Sequence, residues 1–209
     1  HVLNLHEIDY EIIIMNDNST DNTRAVCCEL ENIHSQIRVF HRHSKPGLGY
    51  TLQEGLDLFS GDIVGIMMAD GSDSAIDLVK CYNEFVRQDV DCVFGSRWNS
   101  ESTVINYPSM KYCINRLSNI AIKFLFRVKY NDVTNAFKLY SQSTIKGIRP
   151  IFSSQFNILV ELPLKAIVKV YRISVLPINC TGRKSGESKL HLKEMSSRGH
   201  EIHFVTYLK

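Results

Sequence analysis

Acidic side chains follow two short apolar runs of this sequence, and their positions point to cation and phosphate chemistry. Asp17 follows the apolar residues 12–15, and Asp70 follows the apolar residues 63–68. Hard divalent cations such as Mg²⁺ and Mn²⁺ take oxygen ligands, and they typically combine one or two carboxylates with substrate phosphates. The two acidic turns together therefore predict a metal–diphosphate site.

Both acidic residues depend on strands to position them. A short run that is apolar on both faces is typical of a buried strand in a parallel sheet. In an open α/β sheet, ligands bind in the crevice beyond the carboxyl ends of the strands. Asp17 and Asp70 are therefore expected at the same edge of one sheet. The alternative is that Asp17 only makes a turn and that Asp21 only caps a helix.

The rest of the chain alternates between strand and helix patterns. Strands are predicted at residues 11–15, 37–41, 63–68, 92–95, 137–140 and 172–178. Helices are predicted at residues 20–33, 50–59, 75–88, 110–126 and 156–168, with a further helix at the end of the chain. The early βαβα order predicts an α/β fold with a mixed, mostly parallel sheet flanked by helices. We expect residues 1–209 to form a single domain.

The charges are distributed unevenly along the chain. Residues 1–102 contain seven basic and 17 acidic residues, a net charge of −10, whereas residues 103–209 contain 17 basic and five acidic residues, a net charge of +12. An acidic metal-binding half and a basic half suit an anionic substrate, an anionic lipid surface, or both. The alternative is that the two halves simply attract each other within the fold.

The composition also bounds the compartment and the partners. There is no apolar run of about 18 residues and no signal-peptide pattern, so no membrane span is expected. The six cysteines are scattered without metal-ligand spacing, which favours a reducing cytosol. We expect the protein in the cytoplasm, or in peripheral contact with the cytoplasmic face of a membrane, and we expect no nucleic-acid partner.

Six motifs stand in a fixed order along the chain. They are NDNSTDNT (16–23), GLG (47–49), MMAD (67–70), FGSR (94–97), NDVTNAFKLY (131–140) and GRKSGESKL (182–190). Together they resemble family-2 glycosyltransferases with the GT-A fold, closest to the dolichol-phosphate mannosyltransferase-like group, over nearly the whole chain. The resemblance implies a metal-dependent, inverting transfer from a nucleotide-diphospho-sugar to a polyprenyl phosphate or a cell-surface glycan or lipid.

The resemblance also implies roles for individual residues. Asp17 matches the residue that hydrogen-bonds the nucleotide base, and Asp70 matches the last Asp of the Asp-x-Asp motif that holds Mg²⁺ or Mn²⁺. Arg97 is implied to contact a donor or acceptor phosphate. The further donor-binding residues implied are Asn18, Ser19, Gly49, Arg183, Ser188 and Lys189. For Arg183 and Lys189 the alternative is a solvated basic face.

Two departures from the family pattern concern the metal motif and the start of the chain. The first Asp of the metal motif is Met68 here, so Ser72 or Asp73 is expected to replace it, or the site binds metal weakly. The chain also starts after the family's first strand and its Pro-x-Tyr-Asn-Glu loop. His1 is therefore expected to mark a truncation, and one sheet edge is expected to be unpaired.

The catalytic base has two candidates, Asp132 and Glu161. Transfer to a hydroxyl needs a carboxylate to take its proton, whereas a phosphate acceptor is already anionic. Glu161 lies among apolar neighbours, and an acid there is costly unless it is paired or functional, so Glu161 is either catalytic or structural. These neighbours are Val160, Leu162, Leu164, Ile167 and Val168. Two rival functions remain open: a degenerate nucleotide-sugar-binding module, and a sugar-phosphate nucleotidyltransferase. The second rival class has a Gly-rich N-terminal loop with a following Lys, which this sequence lacks.

Overall fold

The computed structural model describes residues 1–182 of the chain, in which helices alternate with strands. The strands are β1 (Ile12–Asp17), β2 (Ile37–Arg42), β3 (Ile63–Ile66), β4 (Cys92–Ser96), β5 (Val104–Ile105), β6 (Lys138–Ser141), β7 (Ile173–Pro177) and β8 (Cys180–Thr181). The helices are α1 (Val2–Leu5), α2 (Thr23–Ile33), α3 (Leu48–Leu58), α4 (Ala75–Gln88), α5 (Ser109–Leu125), α6 (Gln142–Gly147) and α7 (Ile158–Val168).

These strands form three sheets. β1 and β2 pair in parallel, and β5 and β8 make a second, very short parallel pair. The largest sheet has the order β3-β6-β4-β7, in which β4 and β7 are parallel and β6 is antiparallel to both of its neighbours. The prediction of a mixed, mostly parallel α/β fold is confirmed. Asp17 and Asp70 were expected at the same edge of one sheet. That expectation was wrong for the described residues, because β1 and β3 belong to separate sheets.

The core lies on both faces of β4, whose five residues are all buried. Successive strand side chains point to opposite faces. Phe94 therefore packs into the layer formed by α3, α6 and α7, where it meets Leu162. Val93 packs into the opposite layer, with Phe85 of α4. This layered packing fixes the position of the loop that follows β4.

Several elements differ from the sequence-based expectation. The two-residue strands β5 and β8 were not predicted, and the predicted terminal helix lies outside the described residues. Helix α6 was missed because it is short; its start is capped by Ser141, whose Oγ accepts a hydrogen bond from the Thr144 N–H at 3.0 Å. Helix α5 was predicted correctly, but several of its apolar residues, among them Phe124, are exposed rather than packed in the core. Within residues 1–182, no helix combines the length and apolar character needed to cross a membrane.

Candidate active site

Asp17 ends β1 directly beside Arg42, which ends the parallel strand β2. Arg42 is buried; it donates to Oδ1 of Asp17 and makes two further bonds to Glu54, at 2.8 and 2.9 Å. The Glu54 hydrogen bond, together with the charge of Asp17, raises the pKa of Arg42 despite burial. The other oxygen of Asp17 accepts a 2.8 Å hydrogen bond from the Gly47 N–H. The Asp17 carboxylate is thus fixed in place while 25% of its side chain remains exposed to a ligand.

Asn18 and Ser19 form an exposed turn beside this carboxylate. Asn18 has a left-handed backbone (φ 55°), which Asn tolerates better than most residues, and its side chain donates to the Ser44 carbonyl at 2.9 Å. The Ser19 N–H donates to Oδ1 of Asn16 at 3.3 Å. The three predicted donor-binding residues at positions 17–19 are therefore brought together.

Gly49 lies at the start of α3 against the backbone of residues 153–155. Its N–H donates to the Ser154 carbonyl at 3.1 Å, and a Cβ at this position would lie only 2.1 Å from the Ser153 carbonyl oxygen. Packing against this loop is therefore enough to require glycine at position 49, whether or not a ligand binds here. The donor-binding role of Gly49 stays a prediction.

Glu161 is buried in the first turn of α7 and holds the same loop from the other side. Its two carboxylate oxygens accept hydrogen bonds from the backbone N–H groups of Phe152 (2.9 Å) and Ser153 (2.7 Å). Lys165 forms an ion pair with it at 2.7 Å. Burial opposes the ionised form, but these partners outweigh it and lower the pKa of Glu161. The contacts favour the structural alternative for Glu161.

The predicted metal residues lie on the loop after β3. The Ser72 N–H donates to Oδ1 of Asp70 at 3.1 Å, and the Met68 N–H donates to Oδ2 of Asp73 at 3.0 Å. Burial is the largest cause raising the pKa of Asp73; the Asp70 charge adds to it, while the Met68 N–H and the Arg97 charge act in the other direction. Ser74 precedes α4 but makes no capping hydrogen bond with its side chain, and the Asp73 carboxylate turns back towards Met68 instead.

The Asp73 carboxylate therefore lies beside Met68, the position where the family pattern has its first metal-motif Asp. No group of three or more His, Cys, Asp or Glu residues that would hold a metal alone occurs in residues 1–182. Two carboxylates, Asp70 and Asp73, are nevertheless close enough for the charge of one to raise the pKa of the other. Mg²⁺ commonly binds to one or two carboxylates and completes its coordination with water and substrate phosphates. The side chains present fit such a shared site.

Arg97 follows β4 and is held by Asp132 in a two-pronged ion pair. Its Nε and Nη2 each donate to one Asp132 oxygen at 2.8 Å, and its backbone N–H adds a bond of 2.9 Å. Both side chains are buried, with 9% of Arg97 and 1% of Asp132 exposed. Burial opposes the charge on Arg97, but Asp132 outweighs it and raises the pKa of Arg97.

Helix α5 supports this pair through two asparagines on its inner face. Asn119 accepts hydrogen bonds from the N–H groups of Val133 (2.7 Å) and Thr134 (3.2 Å), which fixes the turn that carries Asp132. Asn115 accepts from Nη2 of Arg97 at 3.4 Å. The Arg97–Asp132 pair is therefore fixed by α5 as well as by β4.

Lys138 was not identified from the sequence. It is fully buried in β6, where its Nζ donates to the carbonyls of Val133 (3.0 Å) and Asn135, within the same turn. Burial lowers the pKa of Lys138 to about 7, although Asp132 acts in the other direction. The available signal was a lysine inside the otherwise apolar run at residues 136–140.

Arg183, Ser188 and Lys189 lie outside the described residues. The last described residue, Gly182, donates its N–H to the Ile105 carbonyl at 2.7 Å. The predicted roles of the three residues in phosphate binding therefore stay predictions.

Comparison with known proteins identifies the family. The sequence profile of glycosyl transferase family 2 matches residues 1–149. The polyprenol monophosphomannose synthase of Mycolicibacterium smegmatis is 30% identical over 185 residues, which are 86% of this chain and 69% of that protein. The dolichol-phosphate mannosyltransferase of Pyrococcus furiosus is 27% identical over 192 residues, and the match covers 89% of this chain but only 52% of that protein.

Solved structures show the same fold at lower sequence identity. Glucosyl-3-phosphoglycerate synthase from Mycobacterium tuberculosis in complex with phosphoglyceric acid has a TM-score of 0.66 and 16% identity, covering 94% of this chain and 67% of that one. The same enzyme in complex with Mn²⁺, UDP and glucosyl-3-phosphoglycerate has a TM-score of 0.65 and 15% identity, covering 95% and 67%. The profile match, the relatives and the fold lead to one conclusion: this chain belongs to glycosyl transferase family 2, in its dolichol-phosphate mannosyltransferase-like group.

Proposed function

We propose that this chain transfers a sugar from a nucleotide-diphospho-sugar to a polyprenyl phosphate, with inversion at the sugar carbon. The relatives named for mannose transfer to polyprenol and dolichol phosphate make mannose the first sugar to test. The chain spans 69% and 52% of these two relatives, so acceptor and sugar are taken from their names as part of the proposal.

One observation carries the choice of a phosphate acceptor. Both candidate bases are committed to cations: Asp132 is held by Arg97 and Glu161 by Lys165. Both oxygens of each carboxylate already accept hydrogen bonds, so neither Asp132 nor Glu161 has a free oxygen to take a proton from a hydroxyl. An acceptor phosphate is already anionic and requires no base. In this proposal Asp132 positions Arg97, and Arg97 attracts the acceptor phosphate.

The donor side of the site is proposed to lie along the turn at Asp17 and the loop that carries Asp70. Asp17 accepts a hydrogen bond from the nucleotide base, and Asn18 and Ser19 line the same pocket. Asp70 and Asp73 would hold Mg²⁺ or Mn²⁺ against the diphosphate. The chemistry that such an ion supplies is neutralisation of charge on the leaving diphosphate. Asp73 takes the place of the family's first metal-motif Asp, because its carboxylate lies 3.0 Å from the Met68 backbone nitrogen.

A panel of UDP, GDP, CDP and dTDP, each with Mn²⁺ or Mg²⁺ and with EDTA, tests the donor site by thermal shift. Ligand at about 100 times its Kd adds roughly 2.7 kcal/mol, which raises the melting temperature by several degrees in a domain of this size. We expect one nucleotide to give a metal-dependent shift that Asp70→Ala abolishes. An unchanged shift in Asp70→Ala would contradict the metal assignment.

The same panel, together with an assay for release of nucleoside diphosphate, separates the proposal from a rival suggested by Met68. The rival is a module that binds nucleotide sugars without transferring the sugar. That rival predicts a metal-independent shift and no release of nucleoside diphosphate when donor and acceptor are mixed. Metal-dependent release of nucleoside diphosphate would exclude it.

A membrane-embedded acceptor also requires the chain to reach a lipid surface, which we propose that it does by peripheral contact.

A further inference from the structure

The outward side of α5 carries an unusually exposed apolar stripe, which we call the α5 outer face. It consists of Met110, Leu117, Ile120 and Phe124, whose exposed fractions are 75, 66, 56 and 82%. Their spacing of seven, three and four residues places them on one side of a helix. Apolar side chains exposed as a contiguous stripe, rather than singly, mark an interaction surface.

Positive charge borders this stripe on one side and at its end. Viewed along the helix at 100° per residue, Arg116 and Lys123 lie on one side of the α5 outer face, whereas Lys111 lies towards the inner face, near Asn115. Arg127 and Lys129 follow the end of the helix. Residues 102–131 contain these five cations and no acidic residue. An apolar face bordered by Lys and Arg is the composition of a helix that lies in the headgroup region of an anionic bilayer.

Aromatic side chains cluster beside the cation-bearing side of α5, near its start. Trp98 makes edge-on contacts with Tyr107 and Tyr112, with ring centroids 5.9 and 5.1 Å apart. Its Nε1 donates to Asn115 at 3.2 Å, and the guanidinium of Arg116 lies 5.5 Å from its ring centroid. Trp and Tyr favour the boundary between apolar and wet regions, as at the edge of a bilayer.

The inner face of α5 holds the proposed acceptor site. Asn115 bonds to Arg97, and Asn119 fixes the turn that carries Asp132, whereas the α5 outer face points away from both. A helix is about 10 Å across, so a surface that meets the α5 outer face brings Arg97 within roughly one helix diameter of it. This geometry suits an acceptor whose phosphate lies at the membrane surface.

A second copy of the chain fits this face less well than a membrane. Pairing two α5 outer faces would bring their bordering cations together, with no acidic side chain in residues 102–131 to balance them. Like charges at such borders disfavour helix pairing. An anionic lipid surface complements the same charges.

We infer that the α5 outer face docks this chain onto an anionic membrane surface and thereby presents Arg97 to the lipid phosphate. The inference rests on the proposed function for the identity of the acceptor, but the docking itself requires neither donor nor acceptor. The two can therefore fail separately.

Co-sedimentation of the 209-residue chain with vesicles tests the docking directly. We expect binding to vesicles containing about one third phosphatidylglycerol, weaker binding to pure phosphatidylcholine, and loss of the difference at high salt. Leu117→Asp combined with Phe124→Asp is expected to weaken binding roughly tenfold for each substitution. Lys123→Gln combined with Lys129→Gln is expected to weaken it about fivefold for each charge removed, and only on anionic vesicles.

Val26→Asp is the matched control, because Val26 is an exposed apolar residue of α2, away from α5. It is expected to leave vesicle binding unchanged. All variants should keep the wild-type melting temperature and nucleotide-induced shift; if the Asp pair is destabilised, Leu117→Gln with Phe124→Gln replaces it. Docking predicts that the Leu117/Phe124 variants transfer sugar normally to a short, water-soluble prenyl phosphate but poorly to a vesicle-embedded acceptor.

Three results would overturn the inference. They are the absence of wild-type binding to anionic vesicles, equal binding by the wild type and the Leu117/Phe124 variants, and a dimer in sedimentation velocity that these variants dissociate. Vesicle binding without sugar transfer from any donor would instead leave the docking intact and refute the proposed function.

Discussion

Replacing Glu161 by Gln separates a structural carboxylate from a catalytic one. In the wild type the carboxylate accepts from two backbone N–H groups and pairs with Lys165, which is only 10% exposed. Gln keeps one acceptor oxygen and places an NH₂ group where the second oxygen was. One buried N–H then loses its acceptor, at a cost of about 1–3 kcal/mol, and a charge-assisted bond to Lys165 worth about 1.5–3 kcal/mol is weakened.

The expected loss is therefore about 4 kcal/mol in the free energy of unfolding, or roughly 8–16 °C in melting temperature at this chain length. Chemical denaturation measures the first quantity and thermal unfolding the second. Because the pKa of Glu161 is lowered in the folded state, the wild type's advantage is full above about pH 4.5 and shrinks as the pH falls through the folded-state pKa.

Asp89→Asn provides the matched control, because Asp89 forms an ion pair with Arg172 in which both side chains are exposed, Asp89 to 90% and Arg172 to 59%. Exposed pairs contribute less than about 1 kcal/mol. In a double-mutant cycle, Lys165→Met should recover part of the loss caused by Glu161→Gln, since no unpaired buried cation remains. An unchanged melting temperature with turnover abolished would refute the structural assignment and make Glu161 the catalytic base.

Three further substitutions test other parts of the site. Lys138 has a folded-state pKa of about 7, so above that pH the folded chain has released a proton that the unfolded chain still binds. Wild-type stability relative to Lys138→Met should therefore rise by roughly 2 kcal/mol from pH 7 to pH 9 in urea titrations, and a flat difference would contradict the lowered pKa of Lys138. Gly49→Ala places a Cβ 2.1 Å from the Ser153 carbonyl oxygen and should lower the free energy of unfolding by about 2 kcal/mol or more. In the control Gly55→Ala, in the same helix, the Cβ meets only the flexible Met15 side chain, at 3.3 Å, and stability should be unchanged or higher; equal effects would count against the loop contact. Arg97→Lys removes the paired bonds to Asp132 and should lower kcat/KM at least tenfold. The control Arg172→Lys, at an exposed ion pair, should change neither stability nor rate, and full activity in Arg97→Lys would show that Arg97 does not bind the acceptor phosphate.

The fold was largely predictable because its strands are marked by short apolar runs. Residues 12–15 and 92–95 have no polar face, and both became strands of the described structure. The order of strands in the sheet was harder to predict from the sequence, since β6 lies between β3 and β4 although it follows them by more than 40 residues. Such long-range order is set by packing on both faces of β4 rather than by any local pattern.

The site was predictable only in part. The residue types at Asp17 and Asp70 indicated cation and phosphate chemistry, but their supporting partners come from distant segments. Arg42 reaches Asp17 from 25 residues away, and Asp132 reaches Arg97 from 35. The exposure of Phe124 could not be predicted for another reason. Helical periodicity shows that one face of a helix is apolar, but not whether that face packs on the core or on a partner.

The most direct test of the central claim is a transfer assay with labelled mannose carried by each of the four nucleoside diphosphates. The full chain is mixed with polyprenyl phosphate in anionic vesicles and a divalent cation, and the label is followed into the organic phase. We predict lipid-linked label from one donor, dependent on both the cation and the polyprenyl phosphate, and lost in Asp70→Ala and Arg97→Lys. Bound nucleotide without any lipid-linked label, for every donor and with either cation, would contradict the assignment of sugar transfer to a polyprenyl phosphate.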